Sequence, residues 1–369
     1  MKNWIAAALL LCPFTALAAE PSAGTVGNEM NPSISLILDA VGAYFSNERG
    51  FRQGGHAPTR SGPSLQGAEL AMSASVDPWF RVDAAFEMSH LHLEEIFLTT
   101  TSLPFSLQLR AGQFKSHAGR LNATHPHQWH FVTQPLANEF IFGAEGITLP
   151  GAEISWLAPL PWYLEIKGSL QTGSAGVFRT RSIADGDPGF RDFLYPLRLV
   201  QFFDISDDWA LQVGASGVFG PSDQGPESGN RAQAFGVDLF LKWRPIGAGT
   251  TGHTFVAWTA ETWVRQMEVP DDLWTDLGAT GDVVFGISKR WETALRLELW
   301  RRLAGAMSET RARYGLNAFR VAANVGFLPS HFSRIRLQYQ IENIETYNSG
   351  HVLMLQVEVS AGAHGAHAY

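Results

Sequence analysis

The chain has 369 residues, of which 45% are hydrophobic and only 17% charged, with 36 Gly, 12 Trp and a single Cys. Its mean hydropathy is close to zero, which excludes a polytopic helical membrane protein, because that needs several runs of about 20 apolar residues. A formal charge of −8, from 27 basic and 35 acidic residues, excludes the basic footprint of a nucleic-acid binder.

A single ordinary core stops growing at about 250–300 residues, so this length implies two soluble domains, a repeat protein or one large closed barrel. Residues 1–18 read MKNWIAAALLLCPFTALA. Lys2 supplies a positive start, Ile5–Leu11 an apolar run and Ala16-Leu17-Ala18 a small-x-small cleavage site, which together make a secretory signal peptide. Pro13 argues against the plainer alternative of a buried N-terminal helix. Cys12 lies inside this segment, and Leu11 stands where a lipoprotein signal needs a small residue. Cleavage also removes Lys2, leaving 26 basic against 35 acidic residues and a charge of −9. The mature chain then has no cysteine, so packing and hydrogen bonds alone hold it. Residues 19–32 form a short periplasmic N-terminal segment.

From residue 33 the chain alternates with period two. In Phe80–Met88 one row is Phe80, Val82, Ala84, Phe86 and Met88, and the other is Arg81, Asp83, Ala85 and Glu87. Such alternation predicts strands with one apolar and one polar face. The windows are 33–45, 65–76, 79–90, 92–101, 105–115, 146–157, 161–172, 190–204, 208–219, 232–244, 253–266, 277–288, 291–303, 314–327, 332–346 and 350–361. Many are longer than the usual 5–6 residues and suit a tilted crossing of a bilayer, which takes about 9–11. Trp79, Trp162, Trp209, Trp243, Trp291 and Phe332 stand at strand ends, where an interfacial girdle belongs. The predicted fold is all-β, a closed antiparallel transmembrane barrel of about 16 strands over residues 33–361, with a His-containing tail over 362–369. The weakest windows are 92–101 and 190–204, where Glu94 and Arg198 interrupt the apolar face, and without them the count is fourteen.

Connections tend to alternate between long (46–64, 116–145, 173–189, 220–231, 267–276, 304–313, but short at 91 and 347–349) and tight, such as Asp77-Pro78 and Lys289-Arg290, with the eight-residue Pro245–Gly252 as the exception. Long loops outside and short turns inside are the barrel norm, which puts both termini in the periplasm. Such a barrel encloses a lumen too wide for side chains to fill, so water should occupy it and inward polar residues need no partners. The loop over 116–145 carries Trp129, Phe131, Phe140 and Phe142, and is expected to fold into the lumen and narrow it.

Alternation points Arg81, Arg110, Lys167, Lys242, Arg265, Arg296, Arg320, Arg334 and Arg336 inward, with Asp83, Glu87, Glu153, Glu165, Asp238, Glu261, Glu298, Glu342 and Glu358. Nine against nine sets no selectivity; rings of paired charge bracing the wall fit as well as a filter. Arg296, Arg320, Arg334 and Arg336 form the candidate basic stripe for anions. His117, His125, His127 and His130 cluster in the long loop and are candidate Zn²⁺ ligands, although the spacing is not a zinc pattern and Pro126 should hold His125 and His127 apart. His364 and His367 form a second small cluster in the tail. Ser89, His90, His92, Glu94 and Glu95 put a hydroxyl, imidazoles and carboxylates close together at one rim, but Ser89 and His90 face opposite sides of one strand, so no enzyme is expected.

Asn31-Pro32-Ser33-Ile34-Ser35-Leu36, Val76-Asp77-Pro78-Trp79-Phe80 and the Glu94-Glu95 strand carry a resemblance, as do Leu109-Arg110-Ala111-Gly112-Gln113-Phe114 and the tail Gly362–His367. The most specific stretch is Leu121-Asn122, His125-Pro126-His127, Trp129 and Gln134-Pro135-Leu136. Over nearly the whole mature chain the sequence resembles a family of Gram-negative outer-membrane porin-like proteins, often labelled zinc-regulated TonB-dependent outer membrane receptor, and more distantly the phosphate-selective porins. An energised receptor needs a barrel of about 22 strands around a plug, for which this chain is too short. The expected function is a passive outer-membrane channel for small hydrophilic solutes or ions, in contact with membrane lipid and without a bound cofactor. The alternative is a zinc-linked receptor capturing metal at the loop histidines; a secreted soluble β protein is a third reading. Homo-oligomers are an expectation by analogy alone.

Overall fold

The structure is a computed structural model that describes residues 32–47, 54–89, 91–181, 189–225, 228–245, 253–308, 311, 317–345 and 347–363. The expected signal peptide, residues 19–31, Cys12, His90, His364 and His367 lie outside the described residues.

Period-two sequence becomes strand wherever one row can face lipid and the other the barrel interior. The strands are β1 (Ser33–Phe45), β2 (Gly62–Asp77), β3 (Phe80–Glu87), β4 (His92–Thr100), β5 (Leu107–Lys115), β6 (Thr148–Leu157), β7 (Tyr163–Gln171), β8 (Ser174–Ala175), β9 (Phe178–Arg179), β10 (Tyr195–Ser206), β11 (Trp209–Pro221), β12 (Arg231–Trp243), β13 (Phe255–Val269), β14 (Asp272–Ser288), β15 (Trp291–Ala304), β16 (Ala318–Ser330), β17 (Ser333–Ile344) and β18 (Tyr347–Gly362). All but the β8–β9 hairpin form one closed barrel of sixteen antiparallel strands. Closure comes from β1 pairing β18 in the register Leu36↔Ala361 to Phe45↔Val352, so the start of β1 and the end of β18 share one rim with the tight turns.

The outer row is apolar: Ile335, Leu337, Tyr339 and Ile341 on β17, and Leu353, Leu355, Val357 and Val359 on β18, are all exposed. Trp209 stacks on Trp258 at 5.8 Å and Trp291 meets Phe327 at 4.8 Å, so the aromatic belt gathers at the tight-turn rim.

Four differences from expectation have local causes. The connection expected over 267–276 is only the turn Pro270-Asp271, with Asp271 at φ 67°, the second-position geometry of a turn that Pro initiates. Strand β10 begins at Tyr195, after a 3₁₀ turn over Phe190–Asp192. Glu94 does not face lipid, because Ala85 pairs with Glu95 while Phe86 pairs with Leu93, and the bulge turns both glutamates inward. Arg198 likewise lies in the inward row, between the lipid-facing Leu197 and Leu199.

Candidate functional site

The connection after β5 enters the barrel. It carries a 3₁₀ turn over Pro126–Gln128 and a short helix, α1 (Leu136–Phe142), whose seven residues are all buried. Entry is driven by apolar area, because the β13–β15 wall presents Trp263, Met267, Trp274 and Trp300 to the interior. Phe140 meets Trp300 at 5.1 Å and Phe142 meets Trp263 edge-on at 5.1 Å. The two tryptophans lie flat because Gly236 and Gly278 stand beneath them; a Cβ there would come within 2.6 Å of Trp263 and 2.7 Å of Trp300.

Polar anchors complete the attachment. Arg265 donates to Phe140 O at 2.8 Å, Arg296 to Thr133 O at 2.8 Å and Arg320 to Gln134 O at 2.9 Å. Arg334 donates to His127 O at 2.8 Å, and Arg336 to Trp129 O at 2.7 Å. In the reverse sense, the Leu136 amide donates to Glu298 at 2.6 Å and the Arg120 amide to Glu261 at 2.8 Å. Each arginine also has a side-chain partner on the wall: Arg265–Asp276 at 2.5 Å, Arg296–Glu298 at 2.6 Å, Arg320–Glu342 at 2.7 Å, Arg334–Glu358 at 2.7 Å and Arg336–Gln356 at 2.9 Å.

This corrects two expectations. The inward polar residues of the β13–β18 wall are paired and buried rather than solvated, because the loop occupies that side of the lumen. The expected basic stripe of Arg296, Arg320, Arg334 and Arg336 is therefore a docking ladder for loop carbonyls, with the first three paired to wall carboxylates and Arg336 hydrogen-bonded to Gln356. Alternation overlooked Arg198, whose guanidinium forks onto Asp238 at 2.8 and 2.9 Å, and Asp276, which also receives Arg311 at 2.7 Å. A lone charge in an apolar-looking row was the signal for Arg198; Asp276 was hidden by the loop expected over 267–276.

On the opposite side the inward charges pair mainly with one another and with the loop histidines. Arg81 and Asp83 pair at 2.7 Å, Lys167 and Glu165 at 3.3 Å, and Arg110 and Glu153 at 3.0 Å, the first two pairs being partly exposed. Lys242 and Gln212 are also half-buried inward residues, and Arg120 reaches from the loop to Gln212. Glu87 is buried and accepts from the Ala68 and Ser89 amides at 2.9 and 2.8 Å.

The four loop histidines are not gathered at one centre. His117 faces Glu153 at 3.0 Å, and burial holds its pKa below the ordinary imidazole value against that carboxylate. His130 lies 4.0 Å from Glu292, and burial lowers its pKa to about 4. His125 and His127 do come together, with rings stacked at 5.5 Å, because Pro126 opens a 3₁₀ turn instead of splaying them. Their donor atoms and one Glu69 oxygen lie within 4.8 Å of one another, a spacing that suits a metal ion. His125 Nε2, however, meets Glu95 at 2.7 Å and Nδ1 meets Glu69 at 3.2 Å. Burial opposes a charge on His125, but the Glu69 carboxylate and the hydrogen bonds to Glu69 and Glu95 outweigh it and raise the pKa to about 10. Of the rim carboxylates, Glu94 binds Lys115 at 2.6 Å and Glu95 binds the loop's His125 at 2.7 Å.

No family model matches the chain. An uncharacterized protein of Aquifex aeolicus (strain VF5) is 27% identical over 385 residues, covering 92% of this chain and 80% of that one. Among solved structures, the outer membrane channel DcaP of Acinetobacter baumannii superposes with a TM-score of 0.60 at 11% identity, covering 92% of this chain and 100% of that one. OmpT, an outer membrane protein of Vibrio cholerae, gives 0.58 at 8% (91% and 98% covered), and an anion-selective porin from Comamonas acidovorans gives 0.57 at 9% (90% and 99% covered). The fold is that of an outer-membrane porin. With its closed barrel and lipid-facing belt, the chain is a protein of the bacterial outer membrane. The receptor label attached to the resembling family has no support here: the barrel has sixteen strands, and its own loop fills part of the lumen.

Proposed function

We propose that the protein is a passive channel for small hydrophilic solutes or ions, with the loop over 116–147 as its constriction. The observation that carries this reading is the asymmetry of the interior. One wall is covered by the docked loop, while Arg81 and Asp83 of β3 and Glu165 and Lys167 of β7 keep contact with solvent. A loop anchored at both ends and along one wall narrows the lumen without closing it.

Planar-bilayer recording tests the reading: the wild type should conduct, and deletion of residues 118–142 should raise single-channel conductance. Equal conductance in the deletion would remove the constriction, and no conductance in the wild type would remove the channel. We read the Glu69–His125–His127 cluster as a protonated latch rather than a zinc site, since both ring nitrogens of His125 already meet carboxylates. Calorimetric Zn²⁺ titration at neutral pH should give no binding below millimolar concentration. We further infer a signal peptide at residues 1–18 and a homo-oligomer in the membrane; a trimer form is described for the Vibrio cholerae protein.

A further inference from the structure

Most cations inside this barrel are matched one to one: Arg81 with Asp83, Arg110 with Glu153, Lys167 with Glu165, and Arg198 with Asp238. Other cations gather around a cavity of about 370 Å³ at the tight-turn rim, between the ends of β12 and β17. Lys242, Arg244, Lys289 and Arg290 line it, with His253 and His331, and Glu292 is the one carboxylate among its described lining residues. Among the described residues, Lys242, Lys289 and Arg290 take part in no ion pair. Lys242, Lys289 and Arg290 against Glu292 leave the cavity electropositive, and low-dielectric walls concentrate that field.

The walls are otherwise apolar. Phe255, Leu328 and Phe332 line the cavity, and Lys242 Nζ lies 5.1 Å from the Phe255 ring. Phe255 also belongs to a buried layer with Phe131 of the lumen loop, Ala257 and Val284. A row of cations leads from it into the lumen, since Arg120 stacks on Phe240 at 3.9 Å, two residues before Lys242 on the same face of β12. Convergent cations over an apolar floor suit a ligand with one negative headgroup and an apolar body.

We propose that this cavity is a binding vestibule for small organic anions, carboxylates with an apolar body, and that it makes the channel anion-selective. The selectivity clause rests on the channel reading; the binding clause does not.

The test uses the refolded full barrel and two readouts, with benzoate as probe and benzylammonium as the cation of similar shape. In bilayers under a KCl gradient, the reversal potential should report chloride preference. Benzoate should reduce the current saturably when added at the tight-turn side. Calorimetric titration should show benzoate binding and no benzylammonium binding. The triple variant Lys242→Glu, Lys289→Glu, Arg290→Glu should reverse the ion preference and weaken benzoate at least tenfold. Lys289→Gln with Arg290→Gln, confined to an exposed turn, should weaken it severalfold in a barrel that folds as the wild type does. A conducting wild type that is cation-selective or unselective, or that binds both probes alike, overturns the vestibule. Benzoate binding without conductance upholds the vestibule and overturns the channel instead.

Discussion

Replacing His125 with alanine should loosen the lumen loop, and the same loosening should be reachable in the wild type by raising pH. His125 bridges Glu95 at 2.7 Å and Glu69 at 3.2 Å, so its charge ties the loop to β2 and β4. Its folded pKa of about 10 lies above the ordinary 6.5. A group raised in this way contributes fully below pH 6.5 and loses its contribution as pH rises through 10. At about 1.4 kcal/mol per tenfold change in proton affinity, that gap is worth about 5 kcal/mol. Truncation leaves Glu69 and Glu95 buried without their cation, a loss of about 3–5 kcal/mol. The loop remains held by Arg320, Arg334 and Arg336, so the consequence is local opening rather than unfolding. Single-channel recording across this range should show stable current at the acid end and growing noise, with higher mean conductance, toward the alkaline end. His125→Ala should be noisy at every pH and should lose the pH dependence. A quiet variant, or a wild type insensitive between pH 6.5 and 10, would refute the latch.

Three other outcomes are expected. Arg334→Ala with Arg336→Ala frees the carbonyls of His127 and Trp129 and leaves Glu358 unpaired, so conductance should rise and the urea midpoint should fall, both measured on refolded barrel. Arg198→Leu strands the buried Asp238 and should cost about 3–5 kcal/mol by denaturant titration, while adding Asp238→Leu should recover most of it. Gly112→Ala puts a Cβ 2.2 Å from Ile96 O at a backbone φ of 138°, so the yield of heat-modifiable folded barrel on gels should drop sharply.

Period two in the sequence carried the strands, their number and the direction of almost every inward side chain, because in a closed sheet facing lipid each residue has only two places to point. Ser333–Glu342 shows it: Arg334, Arg336, Gln338, Gln340 and Glu342 are all buried inside, while the isoleucines, Leu337 and Tyr339 face outward. What those inward residues do was not legible. Alternation assigns a face and says nothing of what arrives on it, and the partner of Arg336 is the carbonyl of Trp129, 207 residues away in sequence. The bulge at Glu94 escaped for a related reason, since one extra residue on β4 reveals itself only against the register of β3. The His125–His127 stack depended on the turn that the docked loop adopts. Local sequence thus determined the wall of this barrel. The tertiary structure decided which inward residues the loop covers, because burial and charge pairing in the lumen are set by contacts between distant segments of the chain.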